Sequence, residues 1–304
     1  MGYVNTPLDE QRSPWQRAVA LAWVPSMRLL DAAGQPVEAY PGIKATIGLN
    51  HASADKLFAG APRPLEEIWA AAAAGEAQAF DLPGTISISL RTALSRTYCH
   101  NVVGLLPGSD PALAGEYIVF TAHLDHLGKG AAVNGDTIYN GALDNASGIA
   151  AMLESARLLA SSTVRPRRSI LFVAVTAEER GLLGSRHFAT QPTVPREALV
   201  ANVNTDMPMV LFPMTGFTVY GAEHSTLGEV ARRALEAEGL AFMPDPDPAE
   251  VVFVRSDQYS FVRAGIPALY VDAGALSSDP TVDPDAVFRQ FLLRDYHMPS
   301  DQVD

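Results

Sequence analysis

Residues 117–128 read Tyr117-Ile-Val-Phe-Thr-Ala-His-Leu-Asp-His-Leu-Gly128, an apolar run that gives way to His123, Asp125 and His126. The apolar run predicts a buried strand, because central strands of α/β sheets are covered on both faces. The three polar residues then lie where the strand ends, and sites in open α/β sheets form at that edge. A histidine followed by a carboxylate is a common arrangement of a metal ligand and its orienting partner.

Beyond this stretch, the chain alternates between apolar runs and amphipathic segments. After Gly148, apolar residues recur at the spacing of a helix. Continuous apolar runs predict central strands at 169–176 and 198–204. Shorter strands are predicted at 217–220 and 268–272, and further helices at 227–238 and 257–263. The alternation predicts an α/β three-layer sandwich, with a central mixed, mainly parallel sheet and helices on both faces.

The region before the quoted stretch differs in composition and in its pattern of predicted elements. Strand-like runs occur at 85–90 and 101–106, and the turn cluster Pro107-Gly-Ser-Asp-Pro111 follows the second run. This cluster predicts that the second run pairs antiparallel with the quoted strand. Residues 1–84 hold all three tryptophans, a candidate strand and a helix start at Ala61-Pro-Arg-Pro64, but no catalytic grouping. We therefore predict an accessory segment at 1–84 and a catalytic domain at 85–304.

The composition excludes several classes of protein. With 304 residues, 48% of them hydrophobic, the chain can bury a large core. Its net charge of −12 argues against a nucleic-acid surface, and no apolar run approaches the length of a membrane span. The first ten residues lack the basic and apolar regions of a signal peptide. Since Cys99 is the single cysteine, a metal site would have to use His, Asp and Glu.

Residues of the types that bind metals recur where the predicted strands end. In a parallel sheet these ends converge at one edge. The residues are His123, Asp125, Asp144, Glu178, Glu179, Asp206 and His297. Each one alone is more often a helix cap, a turn residue or a solvated side chain. Together, however, carboxylates without a nearby lysine would repel one another unless cations were bound between them.

The donor types indicate which metal would bind. Imidazoles and carboxylates without thiolates suit Zn²⁺, with Mn²⁺ or Co²⁺ as alternatives. The donors exceed what one tetrahedral zinc ion needs, so we expect two ions that share a carboxylate and a water. Of the adjacent Glu178 and Glu179, one would bind metal and the other would serve as a general base.

Five short blocks, taken together, resemble the co-catalytic dizinc exopeptidase family, which includes bacterial leucyl-type aminopeptidases, glutamate carboxypeptidase and the transferrin-receptor fold. The blocks are His123-Leu-Asp125, Asp144-Asn145, Glu178-Glu179, Asn204-Thr-Asp206 and Tyr296-His297. Their order and approximate spacing match across about residues 98–301. The resemblance implies a metal-dependent aminopeptidase of the zinc-exopeptidase fold. Such an enzyme hydrolyses the N-terminal bond of a peptide with a water that bridges two zinc ions.

The resemblance also implies a role for each matched residue. Glu178 would act as the general base and then donate the proton to the leaving amine, while Asp125 would hold His123. Asp144 would bridge the two ions, and its peptide bond with Asn145 would be cis. Five residues would bind the metal ions: His123, Asp144, Glu179, Asp206 and His297.

Some features depart from the family pattern. His126 matches no ligand position, and we interpret it as a structural residue or a support for the ligands. Residues 1–84 resemble only the latter part of a protease-associated domain, and the chain ends soon after His297, where relatives continue into a closing helix. We therefore expect a piece of a longer, exported protein. Relatives often have His and Pro at the positions of Gln258 and Ser260, in a loop that shapes the substrate pocket, so specificity cannot be inferred from the family.

Three alternative functions stay open at this point. A carboxypeptidase of the same fold would need a basic group for the substrate carboxylate, and Arg180 and Arg255 lie near the blocks. A glutaminyl cyclase is disfavoured, because cyclases of this fold use one zinc ion, whereas the full ligand set is present here. A non-catalytic binding module or an inactive fragment belongs to a different class. Receptors of this fold have lost ligands or the base, and this sequence retains them all.

Overall fold

The computed structural model describes residues 1–76, 79–208 and 211–303. The chain divides into two compact units. One comprises Met1–Trp23 with Pro36–Thr97, and the other comprises Val24–Gln35 with Tyr98–Asp304. The boundary predicted between residues 84 and 85 falls inside the first of these units.

Short elements build the described part of the first unit. Strands β1 (Gly2–Val4) and β2 (Ile47–Leu49) pair in parallel. The helices are α1 (Pro7–Arg12), α2 (Trp15–Ala20), α3 (His51–Phe58) and α4 (Leu65–Ala73). Helix α4 follows the predicted proline start, and the left-handed φ of 73° at Gly75 is typical of a helix C-terminus.

The strand predicted at 85–90 is wrong. This stretch has no regular secondary structure. Its apolar residues Ile86, Ile88 and Leu90 are 59%, 46% and 61% exposed. Alternating polarity favours a strand only where a neighbouring strand binds the backbone and a core covers the apolar face.

The second unit contains a seven-stranded central sheet with surrounding helices. The strands of the second unit, including two that lie outside the central sheet, are β3 (Val102–Leu106), β4 (Tyr117–His123), β5 (Gly128–Val133), β6 (Asp136–Tyr139), β7 (Ser169–Val175), β8 (Leu199–Asn204), β9 (Gly216–Tyr220), β10 (Ala241–Met243) and β11 (Ala268–Ala273). Its helices are α5 (Ser147–Ser161), α6 (Leu183–Thr190), α7 (Leu227–Ala237), α8 (Gln258–Arg263) and α9 (Pro284–Arg294). Among the described residues, no helix is both long enough and apolar enough to cross a membrane.

The central sheet has the order β10-β9-β11-β8-β4-β7-β3, while β5 and β6 form a separate antiparallel hairpin. Parallel pairs join β10 to β9, β11 to β8, β8 to β4 and β4 to β7. Antiparallel pairs join β11 to β9 and β3 to β7. The prediction of a mixed, mainly parallel sheet is therefore confirmed.

Strand β7 shows that both faces of the sheet are covered, because its successive side chains enter different cores. Val173 is fully buried and packs in one core with Phe261 of α8. Phe172 packs in another core with Met152 of α5. Since neighbouring strand residues point to opposite faces, these two cores are the two interfaces of a three-layer sandwich.

The predicted pairing of β3 with β4 is wrong, because β3 lies antiparallel to β7 instead. The turn cluster after β3 does not reverse the chain into an adjacent strand. Its backbone binds the segment that leads into β7: the N–H of Ser109 donates to the carbonyl of Pro166 at 2.9 Å, and that of Gly108 donates to Ser169 Oγ at 3.0 Å. Strand β7 consequently lies between β3 and β4.

The parallel strands β8, β4 and β7 are neighbours at the centre of the sheet. Their C-terminal ends therefore lie side by side. His123 is the last residue of β4, Glu178 follows β7, and Asp206 follows β8. The topology thus brings three separate blocks of the sequence to one edge, as the sequence predicts.

Candidate metal centre

His123 lies at the centre of a buried cluster and is 1% exposed. Its Nδ1 is 2.9 Å from the backbone carbonyl of Asp125. Because a carbonyl oxygen only accepts, this contact assigns a proton to Nδ1. The opposite nitrogen, Nε2, faces Oδ1 of Asp144 at 3.1 Å and Oδ1 of Asp206 at 3.2 Å. Although burial lowers the pKa of His123, the charge of Asp206 and the hydrogen bond with Asp144 raise it well above its ordinary value.

Asp206 divides its two carboxylate oxygens between different neighbours. Oδ1 faces His123, whereas Oδ2 accepts a hydrogen bond of 2.7 Å from Ser256 Oγ. The hydroxyl of Ser256 in turn accepts from Asn204 Nδ2 at 2.9 Å, and the Tyr270 hydroxyl donates to the backbone carbonyl of Asp206 at 3.0 Å. These contacts fix the orientation of the carboxylate, with Oδ1 directed toward His123.

Asp144 places its two carboxylate oxygens against two different histidines. Oδ1 lies 3.1 Å from His123 Nε2, and Oδ2 lies 3.2 Å from His297 Nε2. The residue is 4% exposed, and its peptide bond with Asn145 is cis, as the family resemblance implies. The two histidines outweigh the effect of burial and hold the pKa of Asp144 well below its ordinary value. One carboxylate therefore links two groups of ligand-type atoms.

Glu179 and His297 complete the second group. Oε2 of Glu179 lies 3.2 Å from His297 Nε2. Burial raises the pKa of Glu179, but the neighbouring imidazoles of His126 and His297 outweigh it and lower this pKa to about 2. His297 comes from a loop after α9, so residues more than one hundred positions apart in the chain meet here.

Glu178 and Asp125 lie on the two loops beside this cluster. Burial is the largest cause of a Glu178 pKa well above its ordinary value, and the charges of Asp206 and Asp257 add to it against the opposing effect of His123. The Asp125 carboxylate accepts from the backbone N–H of Glu178 at 3.1 Å, and it lies 4.0 Å from His123 Nδ1. Asp125 thus contacts both His123, through its carbonyl, and the loop that carries Glu178.

The geometry fits metal ions better than it fits hydrogen bonds alone. A single N–H at Nε2 of His123 cannot serve two carboxylates equally, whereas a cation among the three groups would bind all of them. The four distances between imidazole nitrogens and carboxylate oxygens are 3.1–3.2 Å. Two ligands of one tetrahedral zinc ion, with bonds of about 2.0 Å, would lie about 3.3 Å apart. Among the described residues, potential ligands form two groups that share Asp144: one is His123, Asp144 and Asp206, and the other is His126, Asp144 and Glu179. His297 is in neither group, but its Nε2 lies 3.2 Å from both Asp144 and Glu179.

Two residues outside the predicted ligand set hold this cluster in place. Ser256 binds Asp206, and His126 lies with its Nδ1 2.8 Å from Glu179 Oε1. The sequence interpretation treats His126 only as a structural or supporting residue and gives Ser256 no role. The local sequence does not indicate either role, because a serine before a short helix is ordinary and a lone histidine is more often structural. Gln258, a departure from the family, is fully buried and accepts from Asn204 Nδ2 at 2.9 Å.

Asp301 also supports the cluster, and the sequence analysis gives it no role. Its Oδ1 accepts from the backbone N–H of Leu143 at 2.8 Å, and its Oδ2 accepts from that of Asp144 at 3.0 Å. The residue is 3% exposed and lies four positions after His297. The carboxylate therefore ties the loop of Asp144 to the segment that carries His297.

Replacing Asp301 with asparagine is expected to destabilise the metal-free protein by about 1–3 kcal/mol, since an amide NH₂ would face a buried backbone N–H. Urea unfolding, followed by circular dichroism, measures this change. The matched control is Asp55→Asn, at an exposed helix position, which is expected to change stability by less than about 0.5 kcal/mol. Equal stabilities of the two variants would contradict the role given to Asp301.

Comparison with known proteins gives a consistent set of relatives. A sequence model of the family described as Peptidase family M28 matches residues 101–304. Leupeptin-inactivating enzyme 1 of Streptomyces exfoliatus is 28% identical over 180 residues, which cover 58% of this chain and 36% of that protein. An aminopeptidase of Pseudomonas aeruginosa is 30% identical over 178 residues, which cover 56% of this chain and 30% of that protein. The chain therefore spans about a third of the length of these relatives.

Two solved structures align with about two thirds of the chain. The zinc aminopeptidase BSAP of Bacillus subtilis aligns with a TM-score of 0.48 and 27% identity, over 66% of this chain and 44% of that chain. The LapA aminopeptidase of Legionella pneumophila aligns with a TM-score of 0.46 and 23% identity, over 67% of this chain and 48% of that chain.

Proposed function

Because the chain belongs to peptidase family M28, we propose that it is a metallopeptidase and, more narrowly, an aminopeptidase with two zinc ions. The observation that carries this proposal is the position of Asp144. Its two oxygens face His123 and His297, at 3.1 and 3.2 Å. A carboxylate that bridges two ions needs this division of its oxygens, and a carboxylate that serves one ion does not.

The proposed ligands fall into two groups. His123, Asp144 and Asp206 would hold one ion, and Asp144, Glu179 and His297 would hold the other. Three carboxylates gathered in one buried cluster repel one another unless cations lie between them, which supports a resident metal pair. Zinc ions bound there would act as Lewis acids, which polarise a carbonyl and make a water more acidic.

Glu178 is the proposed general base. A carboxylate that accepts a proton from the attacking water must keep it until the amine leaves, and a raised pKa favours this. Burial raises the pKa of Glu178 well above its ordinary value, against the opposing effect of His123. The backbone of Glu178 is anchored by the Asp125 carboxylate at 3.1 Å. The same carboxyl group would then donate the proton to the amine of the departing peptide.

Acidic surroundings favour a substrate with a free amine over one with a free carboxylate. Carboxylates dominate the cluster and would attract the positively charged N-terminus of a peptide. The two arginines that could serve a carboxypeptidase make other contacts. Arg255 is 60% exposed and lies 3.8 Å from Glu250. Arg180 donates from Nη2 to the carbonyl of Leu127 at 3.4 Å, while its Nη1 is buried and makes no hydrogen bond with the described residues. The ion pair of Arg255 supports aminopeptidase activity, while Arg180 is the residue that a carboxypeptidase would use for the substrate carboxylate.

The test compares leucine 4-nitroanilide with its N-acetylated form and with an N-blocked dipeptide. We expect hydrolysis of the free-amine substrate alone, because the blocked substrates lack the positive charge that the carboxylates attract. Treatment with 1,10-phenanthroline should abolish this activity, and added zinc should restore it. Equal hydrolysis of the acetylated anilide would contradict exopeptidase action, and release of the C-terminal residue from the blocked dipeptide would indicate a carboxypeptidase.

A further inference from the structure

His126 lies inside the cluster, although the family's five blocks give it no role. Its side chain is 5% exposed, and both ring nitrogens are shielded from solvent. Within the part of the chain that the structure describes, neither nitrogen makes a hydrogen bond of good geometry. A buried imidazole carries at least one N–H, and leaving that group without a partner is unfavourable. Nδ1 lies 2.8 Å from Oε1 of Glu179 and 3.9 Å from Oδ2 of Asp144.

The two oxygens of Glu179 have different neighbours. Oε2 lies 3.2 Å from His297 Nε2, close to the separation of about 3.3 Å between two ligands of one tetrahedral zinc ion. Oε1 lies 2.8 Å from His126 Nδ1, which is shorter than that separation and within hydrogen-bonding distance. Among the described residues, neither atom has a hydrogen-bond partner elsewhere. The distances therefore suit one oxygen for coordination and the other for a hydrogen bond.

Asp206 shows the same division at the opposite end of the cluster. Its Oδ1 faces His123 at 3.2 Å, while its Oδ2 accepts from Ser256 Oγ at 2.7 Å. Each terminal carboxylate thus has one oxygen that faces an imidazole ligand and another that lies close to a further polar side chain. That side chain is the hydroxyl of Ser256 for Asp206 and the imidazole of His126 for Glu179.

The His126 ring fits beside Gly141 because this residue has no side chain. A Cβ atom at Gly141 would lie 2.5 Å from His126 Cγ and would clash with the carbonyl oxygen of Asp144. Gly141 also has a left-handed φ of 70°. The ring therefore packs directly against the backbone of the loop that carries Asp144, which limits the positions that Nδ1 can take.

We propose that His126 is a positioning residue for Glu179, whose Nδ1–H holds Oε1 and leaves Oε2 as the one oxygen that faces the metal. This inference rests on the proposed function, because it assigns a role within the same zinc site. Direct coordination by His126 is the competing arrangement, since ligand atoms of His126, Asp144 and Glu179 lie within 4.8 Å of one another. A purely structural histidine is the third arrangement.

Zinc titration of the metal-free protein against a chromophoric chelator separates these arrangements. In His126→Asn, the amide NH₂ replaces the Nδ1–H donor at a similar distance from the backbone. In His126→Leu, a side chain of comparable size has no donor. We expect the leucine variant to bind the second zinc ion about 10- to 100-fold more weakly, as is typical when a partner of a ligand is removed. The asparagine variant should stay close to wild type, as should His100→Leu at an exposed position.

Equal and large losses in both His126 variants would overturn the inference in favour of direct coordination. Wild-type affinity in both variants would overturn it in favour of a structural role. Should the leucine variant fail to fold, nitrogen-15 NMR of the zinc-loaded wild-type protein decides, because a positioning residue keeps its proton on Nδ1 and a ligand bound through Nδ1 loses it. A wild-type protein that binds no zinc at all would contradict the proposed function, irrespective of His126.

Discussion

Replacing Glu178 with glutamine is expected to leave zinc binding unchanged and to lower kcat by about 10²- to 10⁴-fold. Glutamine keeps the shape of the side chain but cannot take up a proton, so the step that Glu178 performs would be lost. Glu178 is assigned no metal contact, and burial keeps its pKa well above the ordinary value. The measurements are kcat with leucine 4-nitroanilide and the zinc content of the purified variant.

Glu223→Gln is the matched control for this change, because the Glu223 side chain is 71% exposed. The control should keep wild-type kcat and wild-type zinc content. An unimpaired Glu178 variant would remove this residue from the role of general base. Loss of zinc together with activity would instead identify Glu178 as a metal ligand and return the role of base to another group.

Replacing Asp144 with asparagine is expected to weaken both zinc sites and to lower kcat/KM by about 10³-fold or more, since the metals supply several kcal/mol of transition-state stabilisation. An amide carries no charge, and its nitrogen cannot serve as a zinc ligand. The two oxygens of Asp144 face histidines of both proposed sites, so a single change affects both. Zinc titration of the metal-free variant and steady-state kinetics measure these effects.

Asp206→Asn is the informative comparison, because Asp206 contacts only His123 among the proposed ligands. This variant should weaken one zinc site and leave the site of Glu179 and His297 near wild type. Circular dichroism of both variants verifies that they fold. If Asp144→Asn and Asp206→Asn each weakened a single site, Asp144 would not be the shared ligand.

Local sequence pattern was sufficient to predict most strands of the central sheet. The strands predicted at 169–176 and 198–204 are observed as β7 and β8, each with bounds within one residue. Both lie at the centre of the sheet, where burial on two faces produces a continuous apolar run. The match of residues 101–304 to peptidase family M28 also confirms the family resemblance of the five blocks.

Strand pairing and the residues that support the metal cluster could not be predicted from local sequence pattern, because both depend on residues far apart in the chain. The strand predicted to pair with β3 was wrong, because the hydrogen bond from Ser109 to Pro166, far along the chain, decides the course of the turn. Asp301 was missed for the same reason, as its contact with Leu143 spans 158 positions. The protease-associated character of residues 1–84 and the export of the whole protein stay predictions.

The central claim is that two metal ions share Asp144, and the zinc content of the protein tests it most directly. Metal-free protein would be saturated with zinc, desalted and analysed by inductively coupled plasma mass spectrometry against protein concentration. We expect close to two equivalents of zinc per wild-type chain, and weaker binding of both in Asp144→Asn. One equivalent, or none, in a folded wild-type protein would contradict it.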